Sequence, residues 1–247
     1  MNGSRYRVII DNDFSGDPDG LVQLAHHVLS PSVDVRAVIG SHLRPLPGMD
    51  AALALPESAV DKAAEVLRLA GREDITLVAG ASGPMADRCS PAASAGASAI
   101  IEEAMRDDDR PLFVCSGGSL TALATAWLLE PRIAERLTAV WIGGVEHPGL
   151  AEPPPAESPS FLPTEFNTFL DVAAVQTVLN GSDIPLWQVP RDAYRQVIAS
   201  TAELEMNLAT AGPLGAHLYA ELLAADEEIG GLGISTGETF GLGDSPA

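Results

Sequence analysis

Val8-Ile-Ile-Asp11-Asn-Asp13-Phe-Ser-Gly-Asp17-Pro-Asp19-Gly20 joins a β-branched apolar run to four carboxylates within nine residues. A run of this kind that ends abruptly in polar residues reads as a strand reaching the edge of a sheet. No backbone requires so much negative charge at one turn. Carboxylates packed this closely raise one another's pKa unless something positive sits among them. Hard oxygen ligands at a strand end suit Ca²⁺ or Mg²⁺ better than zinc. A solvated, helix-capping acidic turn is the plainer reading for one Asp-x-Asp pair, and four carboxylates outweigh it.

From this stretch the pattern alternates. Gly20 to Leu29 has helical spacing through Leu21, Leu24, Ala25 and Val28. Strands are expected at Val33–Ile39, Ile75–Val78, Leu112–Cys115, Leu137–Ile142 and Ile184–Val189, and helices at Glu57–Ala70, Ala93–Arg106, Leu120–Leu129 and Asp171–Leu179, with Ala202–Ala225 mostly helical. Strands alternating with helices predict an α/β, doubly wound, mostly parallel sheet with helices on both faces. Ligands of such sheets bind at the carboxyl ends of the strands. The turns after Ile10, Ile39, Cys115 and Ile142 are therefore expected on one edge. The segment at about 148–163 is rich in Pro, Ala, Glu and Ser, which predicts a surface loop, with an active-site lid as its functional option.

With 247 residues and 46% hydrophobic content, the chain can bury one large core, and one domain over residues 1–247 is expected. Its 34 acidic and 14 basic side chains give a net charge of −20, which opposes nucleic acid, anionic membranes and phosphate-rich ligands. A neutral or cationic small molecule fits better. Lys62 is the single lysine, and nothing functional follows from it. Cys89 and Cys115 are too few for a disulfide framework and are read as thiols. The N-terminus runs into the first strand without an apolar segment of signal length, and no stretch approaches a membrane span; a cytoplasmic location is expected.

Three segments, Ile9-Ile-Asp-Asn-Asp13, Leu112-Phe-Val-Cys-Ser-Gly-Gly-Ser-Leu-Thr121 and Glu165-Phe-Asn167, together resemble the inosine-uridine-preferring nucleoside hydrolase family. Leu129 to Arg136, leading to Trp141-Ile-Gly-Gly144, is similar to the helix end and strand that follow in that family. The resemblance implies a Ca²⁺-dependent enzyme that releases base and ribose from ribonucleosides, as in purine and pyrimidine salvage. By that resemblance Asp13 binds calcium and takes the proton from the attacking water, Asp11 supports it, Ser116 lends its carbonyl to the metal and Asp244 completes the shell. Glu165 and Asn167 match residues that hydrogen-bond the ribose hydroxyls. Asp17 or Asp19 supplies the second metal ligand; Asp19 aligns better, which turns Asp17 toward the ribose. Ser41 stands where the family usually has an asparagine, and Ser158, Pro159 or Ser160 stands in place of another. Gly243 replaces a histidine that in many members helps the base to depart, with His42 and His147 as substitutes. Oligomeric state stays open, the family being commonly dimeric or tetrameric.

The chemistry stands without the resemblance. Breaking an N-glycosidic bond passes through an oxocarbenium-like sugar cation, which a carboxylate-rich pocket stabilises. Only three residues follow Asp244, so that ligand is expected on a frayed segment with weak calcium binding. Two other functions compete: a ribose- or nucleoside-binding protein of the same fold that has lost catalysis, and a haloacid-dehalogenase-type phosphatase with Asp11 as nucleophile. The second lacks a lysine beyond Ser116 to neutralise the phosphate.

Overall fold

The computed structural model describes residues 4–16, 18–45, 50–152, 164–231 and 238–245, with the side chains of 227–231 left aside. Strand β1 (Tyr6–Asn12) is followed by α1 (Asp19–Leu29), β2 (Val33–Gly40), α2 (Pro56–Leu69), β3 (Thr76–Ala79), α3 (Ala95–Ala104), β4 (Leu112–Ser116), α4 (Thr121–Leu129) and β5 (Leu137–Ile142). Then come α5 (Phe166–Leu170), α6 (Val172–Gly181), β6 (Leu186–Val189), α7 (Arg191–Tyr194), β7 (Ile198–Ser200), α8 (Thr201–Asn207), α9 (Gly212–Gly231) and β8 (Thr239–Gly241).

Six strands form one sheet in the order β3-β2-β1-β4-β5-β6, and every adjacent pair is parallel. Side chains alternate across it, as the two-residue period of a strand demands. Ile9 of β1 packs with Ile39, Val114 and Trp141 against Ile100 of α3, Leu123 of α4 and Val178 of α6. Val8 and Ile10 point the other way, toward Leu21 and Leu24 of α1, Ala63 and Val66 of α2 and Leu218 of α9. Both faces are covered, so β1 reads as a continuous apolar run. The expected doubly wound α/β architecture is what the chain adopts.

The strand order reverses between β1 and β4. The chain runs from β1 outward through β2 to β3 and then returns to the other side of β1. Crevices at such a reversal are where doubly wound sheets hold ligands. Here it opens between the ends of β1 and β4, where Asp11 stands opposite Ser116.

The structure departs from the sequence reading in four places. Strand β1 continues two residues past Ile10, because Asp11 and Asn12 still find ladder partners in Ile39 and Gly40 of β2. The stretch from Ala202 to Ala225 is two helices separated by a turn after Asn207, and the chain enters α9 at Gly212 with a φ of +77°, which favours glycine there. Glu165-Phe-Asn167 opens a helix of its own, α5, and Asp171 then caps α6 by accepting from the Ala174 N–H. The strands β7 and β8, which pair antiparallel, are too short to signal themselves in the sequence. Residues 153–163 of the proline-rich segment lie outside the described residues, as do Asp17, Ser158, Pro159 and Ser160. Among the described residues no helix is long and apolar enough to cross a membrane.

Candidate active site

A cavity of about 110 Å³ at the reversal point is lined by Asp13, Asp19, Gly117, Ile142, Glu165, Phe166, Asn167, Tyr194, Gly243 and Asp244. Six separate parts of the chain meet there, and none of these side chains is cationic. A larger, more apolar cavity of about 290 Å³ lies behind Gly144 and Thr168, but it holds none of the aspartates.

Asp13 leaves the sheet just past β1 and is 1% exposed. Its backbone N–H donates to Asn12 Oδ1 at 2.8 Å, and its Oδ2 has no partner. Burial pushes its pKa up to about 7, with the neighbouring Asp19, Asp11 and Glu165 charges adding to the rise. Asp11, fully buried in β1, accepts a hydrogen bond from the Ser41 hydroxyl, and burial likewise pushes it up to about 7. Ser41 is thus engaged with Asp11 and does not line the cavity.

Asp19 sits at the first residue of α1, where the partial positive charge of the helix terminus favours a carboxylate. Its Oδ2 accepts from the Asp244 N–H at 2.9 Å while Oδ1 has no partner. Asp244 Oδ2 accepts from Asn12 Nδ2 at 2.8 Å, and the same amide donates to Gln23 Oε1 at 3.0 Å. Burial, then Asp19 and Asp13, raise the Asp244 pKa well above the usual carboxylate range. The segment carrying it is not frayed: Leu242 N–H reaches Val197 O at 2.8 Å, β8 pairs with β7, and Asp244 is 5% exposed. Tertiary hydrogen bonds hold it in place, against the expected fraying.

The close approach depends on Gly117. A Cβ at that position would lie 2.2 Å from Asn12 Nδ2 and 2.7 Å from Asp244 Oδ2. Ser116 is buried beside it, and its hydroxyl has no partner. Glu165 caps α5, and Asn167 Nδ2 donates to Gly117 O at 2.7 Å and Ile142 O at 2.8 Å, tying together the ends of β4 and β5. That leaves Asn167 Oδ1 as its acceptor. His42 is buried near Asp171, Ala81 and Leu170 with its pKa lowered by burial, and His147 is exposed beside the larger cavity; neither lines the smaller one. Asn12, Gln23 and Tyr194 were not singled out by sequence reasoning. An amide or phenol carries no charge pattern, and their roles arise from partners up to 232 residues away.

Among the described residues no three His, Cys, Asp or Glu side chains already stand as a ready-made metal-ligand group. The donor chemistry nevertheless fits a hard cation. Buried oxygens of Asp13 and Asp19 lack any partner, and Asp13 and Asp244 resist ionisation where they stand. A cation removes that penalty and gives the orphaned oxygens a partner.

Residues 8–232 match the model of the family described as inosine-uridine preferring nucleoside hydrolase. The chain belongs to this family. A curated family member from Leishmania major is 34% identical over 107 residues, which are 42% of this chain and 30% of that protein, so the match spans less than a third of the relative. The nucleoside hydrolase fold is recognisable over nearly the whole chain. A plant nucleoside hydrolase superposes with a TM-score of 0.72 at 20% identity, covering 98% of this chain and 76% of the other. A purine-preferring ribonucleoside hydrolase from Gardnerella vaginalis gives 0.68 at 16% identity, covering 97% and 78%. Family membership, together with the burial of Asp11 inside a strand, rules out the phosphatase reading, which needs that residue as an accessible nucleophile.

The cavity also sets a pH dependence. Without a cation, folded Asp11 and Asp13 titrate near 7 against an ordinary 3.8, so the folded chain keeps protons that the unfolded chain releases between those values. Their contribution to stability is present below the ordinary value and is lost as the pH rises toward 7. Thermal unfolding in chelator should therefore show a decline over this range that is shallower in Asp13→Asn. Added Ca²⁺ should raise the midpoint more at pH 7 than at pH 5, since it competes with those protons. Parallel pH curves for the two proteins would contradict this.

Proposed function

We propose that the chain hydrolyses the N-glycosidic bond of ribonucleosides, releasing free base and ribose with the help of calcium. The observation that carries this reading is the buried Asp13 carboxylate, with one unpaired oxygen, in a cavity walled by Asp19, Asp244 and Asn167.

Asp13, Asp19 and Asp244 would hold the ion with the Ser116 carbonyl. When bound, calcium supplies positive charge that keeps these carboxylates ionised, orients the sugar hydroxyls and acidifies a nearby water. Asp13 accepts a proton from the water that attacks the anomeric carbon. Held ionised beside the ion, Asp13 is ready to take that proton at neutral pH. The C–N bond breaks as the C–O bond forms, the base takes a proton from solvent, Asp13 later returns its own proton to solvent, and the surrounding carboxylates stabilise the positive charge on the sugar ring. Asn167 Oδ1 is free to accept from a sugar hydroxyl, because its amide nitrogen already holds two strand-end carbonyls. Asp11, with Ser41 on one oxygen, keeps the end of β1 in place behind Asp13.

Chromatographic measurement of free base from a panel that includes inosine, guanosine, uridine and cytidine tests the proposal. Release from at least one member is the outcome it requires. Ribose or nucleoside binding by calorimetry with no base release from any member would favour the binding-protein alternative.

A further inference from the structure

Glu165 already has more hydrogen-bond donors than a sugar-reading carboxylate leaves room for. Its Oε1 accepts from the Asn167 N–H and the Tyr194 hydroxyl, both at 3.0 Å. Its Oε2 accepts from the Gly144 N–H at 2.8 Å, the Thr168 N–H at 2.9 Å and the Thr168 hydroxyl at 3.0 Å. A carboxylate offers about four lone-pair directions. Five donors leave no place for a substrate hydroxyl.

The five are not equally fixed. Three are main-chain N–H groups of the turn after β5 and of the start of α5, and the Thr168 hydroxyl belongs to that same helix. Tyr194 alone arrives from a separate element, the end of α7. Its ring lies against Gly243, where a Cβ would come within 3.1 Å of the ring Cδ2, so the missing side chain at 243 makes the room it occupies. It also lines the cavity beside Asp13 and Asn167. The most displaceable donor on Glu165 is therefore the one that faces the substrate.

We propose that Tyr194 is a specificity-determining residue, whose hydroxyl fills the acceptor position on Glu165 that a sugar hydroxyl would otherwise take. The site then reads one sugar hydroxyl fewer and accepts nucleosides that lack it. This rests on the hydrolase reading above. Tyr194→Phe uncovers the carboxylate oxygen and restores discrimination at that one position.

The test is kcat/KM for a good ribonucleoside and its 2′-, 3′- and 5′-deoxy analogues, with wild type and Tyr194→Phe at saturating Ca²⁺, and calorimetric binding of the same compounds. Wild type is expected to use at least one monodeoxy analogue within about threefold of the parent, a smaller loss than one hydrogen bond to a charged acceptor would cause. In Tyr194→Phe the same analogue should fall behind the parent by about tenfold or more, while the ratios for the other two stay put. A merely structural role for the phenol would scale all four substrates alike, and unchanged ratios between the two proteins would overturn the inference alone. Rejection of all three analogues by wild type by about tenfold or more would overturn it too. Absence of both turnover and binding for every compound in both proteins would overturn the hydrolase reading and the inference together.

Discussion

Asp13→Asn should lower free-base release by about 10²- to 10⁴-fold at saturating Ca²⁺, the range that loss of a positioned general base produces. The amide matches the carboxylate in shape but cannot take the proton from water. The fold should tolerate it, because the bond that seats this residue runs from its main-chain N–H to Asn12 and survives the change. Replacing a buried carboxylate that faces Asp19, Asp11 and Glu165 also removes repulsion. The variant is therefore expected to unfold no earlier than wild type at neutral pH in chelator. Asp13→Ala should lose calcium binding as well as turnover. Steady-state base release with calorimetric calcium titration separates the two effects, and full activity in Asp13→Asn would remove Asp13 from the role of base.

Asn12→Ala should be the most damaging change outside the carboxylates. This one side chain accepts from the Asp13 N–H and donates to Gln23 and Asp244, joining the end of β1 to α1 and to the segment after β8. Truncation leaves buried polar groups without partners, at about 1–3 kcal/mol for each one orphaned. It also frees Asp244 from β1, so calcium affinity should fall by about tenfold for each 1.4 kcal/mol of ordering that the ion must then supply. Denaturant unfolding and calcium titration measure the two losses. Wild-type calcium affinity in Asn12→Ala would show that Asp244 is held by other contacts or does not ligate the ion.

What the sequence disclosed and what it hid divide along physical lines. The run Val8 to Ile10 and the aspartates after it mark both a central strand and a cation-seeking edge, because burial on two faces and crowded charge each leave a local composition. Glu165-Phe-Asn167 is equally visible as a motif, yet its geometry is not: nothing in the triplet shows that Glu165 is a helix cap already surrounded by donors. Tyr194 and Asn12 act through partners distant in the chain, and single polar residues carry no periodicity. The expectation of a loose Asp244 failed for the same reason. Chain position suggested fraying, whereas the main-chain bond to Asp19 and the amide of Asn12 fix that residue from segments more than 200 positions away.

The most direct measurement is base release from the best ribonucleoside in wild type, first with Ca²⁺, then in excess chelator, then after Ca²⁺ is restored. Turnover should fall to background in chelator and return with the ion, and Asp13→Asn should stay near background at every step. Turnover unaffected by the chelator, or equal in the two proteins, would contradict a calcium-assisted hydrolysis based on Asp13.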